Sequence, residues 1–150
     1  MLGIVVTVGQ IWRDDCYYLD RDSGECKRKY VLVLATNPSS GDVLTAVFTS
    51  KPNGLTETPA CSLGPPRAGY FVGVPGGILT MPTWVDFSSV DTLDTHDLGL
   101  HVRSGRKSLS AQLLPNNICC AVLRCASQSE DITNRQLRWI DDTIATLNCS

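Results

Sequence analysis

The sequence predicts a mainly β fold, a small and strongly bent barrel closed by a C-terminal α-helix. Three observations predict it: many short apolar runs, Gly- and Pro-rich stretches between them, and one apolar stripe of helical period near the end of the chain. The 150 residues are enough for one domain with its own core, and residues 1–150 are read as that single domain. Hydrophobic residues make up 43% and charged residues 19%, which places the chain among globular rather than disordered or fibrous proteins.

Residues 5–12 alternate loosely around Gly9 and read as a first strand, and residues 17–19 as a second short run before the polar turn at 20–25. Residues 31–34 are apolar at four successive positions and residues 43–48 nearly so, the pattern of strands covered on both faces. Between them Asn37-Pro38-Ser39-Ser40-Gly41-Asp42 has turn chemistry. The Pro-, Gly-, Ser- and Thr-rich residues 51–69 read as a long surface loop. Strand character returns at 69–74, 78–81 and 83–87, separated by Pro75-Gly76-Gly77 and by Pro82. A polar region at 88–105 follows, and residues 109–114 and 118–125 supply the last strands. The one helix is assigned to residues 130–148. Ile132, Leu137, Ile140, Ile144 and Leu147 recur there at steps near three and four, and residues 127–131 offer capping hydroxyls and acids.

The formal charge of -2 argues against a nonspecific nucleic-acid coat, while leaving room for a local basic groove. The seven cysteines form an odd set without a Cys-x-x-Cys pair, and the short apolar start at residues 1–9 has no basic flank. These features predict reduced thiols in the cytoplasm, with Cys119, Cys120 and Cys125 as small buried hydrophobes. No apolar run approaches the ~20 residues of a membrane span, so no membrane association is expected.

Chemistry concentrates at the ends of the two apolar strands. Thr49, Ser50 and Lys51 leave the second strand, and Lys27, Arg28 and Lys29 enter the first. If the two strands pair as a hairpin, cations and hydroxyls converge on one edge, a constellation suited to a phosphate. The histidines His96 and His101 fall in the polar region without neighbours at metal-ligand spacing and are read as surface residues. Arg103, Arg106 and Lys107 nearby are read as part of a charged, mobile loop. Trp12 and Trp84 are candidate stacking platforms for bases, although small barrels commonly use such rings for packing.

The order of Gly9-Gln10-Ile11-Trp12, a basic residue before Tyr30-Val31-Leu32-Val33-Leu34, and a strand ending Phe48-Thr49-Ser50-Lys51 resembles the MazF/PemK (Kid) toxin family. Pro82-Thr83-Trp84-Val85 is similar to that family's later strand, and the terminal helix also fits. The resemblance implies an SH3-like barrel, a homodimer, an antitoxin partner, and metal-independent cleavage of single-stranded RNA with no cofactor. It places catalysis at Thr49 and at a cation from Lys29 or Arg28, with Lys27, Ser50, Lys51, Trp12 and Trp84 as RNA-binding residues. Lys29 stands where the family has arginine, replacing a bidentate fork by a point charge. The rival reading from another class is a noncatalytic SH3-like barrel that binds a protein or a nucleic acid.

Overall fold

The computed structural model describes residues 6–37 and 39–149. Seven strands form one antiparallel sheet: β1 (Gln10–Leu19), β2 (Cys26–Thr36), β3 (Val43–Thr49), β4 (Cys61–Ser62), β5 (Gly69–Gly73), β6 (Thr83–Leu93) and β7 (Lys107–Leu113). Their order across the sheet is β4-β5-β6-β3-β2-β1-β7. Three helices complete the fold: α1 (Thr95–Arg103), α2 (Asn116–Ser127) and α3 (Asn134–Thr146).

The two apolar strands lie at the centre and are covered on both faces, as their composition predicts. Alternation sends Leu32 and Leu34 of β2, with Leu44, Ala46 and Phe48 of β3, into a core shared with Val122, Leu123 and Ala126 of α2 and Ile140 of α3. Val31 and Val33 face the other way, against Trp12, Val43, Val47 and Leu98 of α1. Each of the Val, Leu, Ile and Phe side chains here, if fully buried, contributes about 1.5–3 kcal/mol. Gly9 fixes the approach of the chain to β1: its φ is +90°, and a Cβ there would lie 2.7 Å from the Cys119 sulfur.

The sheet is mainly β as predicted but is not closed: β4 and β7 are its edges. Its two ends communicate through a side chain. Gln112 of β7 donates to the Gly76 carbonyl (2.9 Å) and accepts from the Ile78 N–H (3.0 Å), both in the β5–β6 loop. That loop replaces the strand expected at 78–81, where only an isolated bridge joins Gly76 to Leu79. Gly77 has φ +60°, and a Cβ there would meet the end of the Gln112 side chain, so a substitution strains the backbone and displaces that amide.

Other expectations are corrected by tertiary context. The runs around Trp12 and at 17–19 belong to one long β1, irregular between Asp14 and Tyr18; Val5, where the first strand was expected to begin, lies outside the described residues. The loop at 51–69 is pinned by Leu55, which is buried, and by β4. β6 runs on to Leu93, and the rest of the expected polar loop is α1, capped where Asp94 accepts from the Asp97 N–H at 2.7 Å. Residues 118–125 are helical, not a strand. Cys119, Cys120, Leu123 and Ala126 are buried at helical spacing on α2, and a short run apolar at all but Arg124 does not by itself distinguish the two periods. The last helix begins at Asn134, and its cap is the reciprocal Thr133–Gln136 pair instead of residues 127–131.

The cysteines are also corrected. Six of them pair as Cys16–Cys26, Cys61–Cys125 and Cys120–Cys149, leaving Cys119 free and buried. The partners are 10, 64 and 29 residues apart, so the pairing is created by the fold and has no signature in local spacing. Burial pushes the Cys119 thiol up to about 11, which keeps it protonated and inert.

Candidate functional site

Antiparallel pairing of β2 with β3 sets Val31 opposite Val47. Continued two residues toward the strand ends, this register brings Lys29 beside Thr49. A cleft of about 320 Å³ opens there. One wall carries Arg28, Lys29, Thr49, Ser50 and Lys51, and the facing β5–β6 loop carries Ile78, Thr80 and Met81. Ile78 and Met81 are 39% and 57% exposed, so the wall opposite the cations is an accessible apolar surface.

The polar groups of the cleft differ in how far they are already engaged. The Thr49 hydroxyl accepts from the Lys51 N–H (3.1 Å) and donates to the Lys51 carbonyl (3.2 Å), which fixes the exit of β3. Arg28 donates from Nε to Asp15 (3.0 Å), a carboxylate it shares with Arg13. Lys29 and Lys51 have no carboxylate partner among the described residues. The β1 register places Asp14 opposite Lys29, but the Asp14 oxygens are already engaged by the Lys107 ammonium (2.5 Å), Arg106 Nε (3.2 Å) and the Cys16 N–H (3.0 Å). The Lys29 charge is therefore left for the cleft.

The structure gathers Arg28, Lys29, Thr49, Ser50 and Lys51 as the sequence suggests, and separates the other three candidates from them. Lys27 lies outside the cleft lining, 3.8 Å from Asp20. Trp12 is fully buried beneath α1. Trp84 is 5% exposed, tilts against Phe71 and donates its indole N–H to the Thr56 carbonyl (3.0 Å). Neither tryptophan offers a face to a base, because both occupy strand positions that point into cores.

A second cluster was invisible in the sequence. Lys107 and Arg106, assigned there to a mobile loop, converge on Asp14 of β1 from more than ninety residues away. Asp14 is fully buried and Lys107 only 6% exposed. Burial pushes the Asp14 carboxyl up, but the Lys107 hydrogen bond and charge, the Cys16 N–H and Arg106 outweigh it, and its pKa falls below the ordinary value. His101, on α1 and not in a loop, lies beside them. Burial, then the Lys107 and Arg106 charges, lower its pKa and favour the neutral ring. His96 is exposed on the same helix. Among the described residues no group of three His, Cys, Asp or Glu side chains is placed to hold a metal ion, and no helix is long and apolar enough to cross a membrane.

A search against protein-family models finds no match to the chain, and a search of curated proteins finds none either.

Proposed function

We propose that the cleft at the β2 entrance binds a single-stranded RNA phosphodiester and that the protein is a toxin-like endoribonuclease. The observation that carries this reading is the convergence of Lys29, Arg28 and Lys51 with the Thr49 and Ser50 hydroxyls on one wall, facing the apolar Ile78–Met81 wall. Cations hold the phosphate, and the apolar wall receives an unstacked base. In the proposed reaction the ribose 2′-oxygen bonds to phosphorus while the bond to the 5′-oxygen breaks. The 2′-hydroxyl proton ends on the leaving oxygen, so the products are a cyclic phosphate and a 5′-hydroxyl. Lys29 stabilises the charge that grows on the phosphorane oxygens, and Arg28 steadies the adjoining phosphate.

One observation favours the noncatalytic reading: among the described residues, no imidazole or carboxylate lines the cleft. General acid–base catalysis is worth roughly 10²–10⁴-fold. Electrostatic stabilisation is commonly the larger contribution, so cleavage without such a group is slow but not abolished. The three disulfides support an oxidising compartment as the place of action, in preference to the cytoplasm.

Labelled single-stranded RNA incubated with chelator, followed by gel and by fluorescence anisotropy, tests the proposal. Cleavage by the wild type that falls about 10²-fold in Lys29→Ala, with lesser losses in Arg28→Ala and Thr49→Ala, is the expected result. Binding without cleavage identifies the noncatalytic binder, and neither binding nor cleavage sinks both readings.

A further inference from the structure

On the α1 side of the sheet, a cavity of about 260 Å³ is lined by Asp14, Tyr17, Asp91, His101, Arg106 and Lys107. We propose that this cavity is a second binding site, separate from the RNA cleft, and that it takes a small ligand through an oxyanion held by Arg106 and Lys107.

The argument begins with charge. Arg106 and Lys107 share the single carboxylate of Asp14, which leaves one positive charge uncompensated beside the cavity. His101 cannot balance it, since an imidazole is either neutral or cationic. Asp91 is exposed and its carboxylate remains solvated at the rim. Lys107 is buried and the Arg106 side chain is 37% exposed, so an anion entering the cavity from solvent meets two cations already held on one carboxylate.

Hydrogen-bonding capacity points the same way. Among the described residues, the Lys107 ammonium, with three protons, has one acceptor, the Asp14 carboxylate. Arg106 Nη1 lies 3.3 Å from His101 Nε2. A guanidinium only donates, so Nε2 accepts and the neutral ring carries its proton on Nδ1. That Nδ1 is buried and has no partner among the described residues. Asp14 has no spare oxygen to offer, both being engaged. The unmet capacity is all donor capacity, which a carboxylate or a phosphate monoester supplies acceptors for. The volume lies below the ~300–1,000 Å³ of pockets for drug-sized molecules, so the ligand is a small acid.

Inorganic phosphate and, in a separate arm, acetate are titrated into the full disulfide-bonded chain, with the imidazole resonances followed by NMR. The chain has only two histidines, so a His96→Gln variant assigns the signals. A saturable shift of His101 but not His96 is expected. Arg106→Gln raises the midpoint at least tenfold, and Lys29→Ala leaves it unchanged, which keeps the result independent of the RNA reading. A response to phosphate alone identifies a phosphate monoester site, and to acetate alone a carboxylate site. If Arg106→Gln does not fold, Arg106→Lys keeps the charge without the fork and is expected to weaken binding several-fold. No saturable shift with either anion, a midpoint indifferent to Arg106, or a shift lost in Lys29→Ala overturns the proposal.

Discussion

A carboxylate buried as completely as Asp14 is kept in place by its partners. Removing its charge in Asp14→Asn leaves Lys107 in a dry site without a counter-ion, and we expect a loss of about 3–5 kcal/mol in denaturant unfolding. A loss below ~1 kcal/mol would mean that Lys107 reaches water once its partner is gone. Protonation has the same target by another route. The folded-state pKa of Asp14 is depressed, so its contribution is present above the ordinary carboxylate range and disappears as pH falls through the folded value. His101 acts in a higher window. Its folded pKa is also depressed, so below ~6.5 the unfolded chain binds a proton that the folded one refuses, and stability declines as the pH drops. Thermal unfolding from pH 7.5 to 5 is expected to show this decline and to lose much of it in His101→Gln. An unchanged slope in the variant would assign the decline to other groups. The cleft residues were legible in sequence because Lys29 and Thr49 sit near the ends of one hairpin. The Asp14–Lys107 pair was not, because ninety-three residues separate its members and only the β1–β7 pairing joins them.

At the scale of the element, legibility followed the strength of the periodic signal. β2 and β3 announced themselves through unbroken β-branched and Leu-rich runs. The stripe through Ile140 and Ile144 disclosed α3, although Thr133, its cap, lies just beyond the residues chosen to cap it. α1 was obscured by Gly99 and by charged positions around a narrow apolar edge of Leu98 and Val102. In α2 the excess of apolar residues hid the period. The cap of α3 is open to a direct test: Thr133→Ala removes the side-chain acceptor for the Gln136 N–H, 3.1 Å away, and is expected to lower stability by ~1 kcal/mol. Thr133→Ser keeps the oxygen and is expected to stay near wild type; equal losses in the two variants would assign the effect to the methyl group instead.

Across the whole molecule, covalent links tie distant parts of the chain. Cys61–Cys125 joins the edge strand β4 to α2 across 64 residues of sequence. Closing a loop of that length restricts the unfolded chain by about 4 kcal/mol in the entropic account, so a Cys61→Ala/Cys125→Ala variant is expected to unfold at markedly lower denaturant concentration. A midpoint equal to the wild type's would show that the link adds no stability. The contact between the far ends of the sheet is of another kind, a single amide at Gln112 holding the β5–β6 loop. The aperture above Lys29 is therefore gauged as by a calliper with two fixings: the Gln112 amide grips one end of the jaw, and Leu79, buried in the main core, anchors it between Ile78 and Met81.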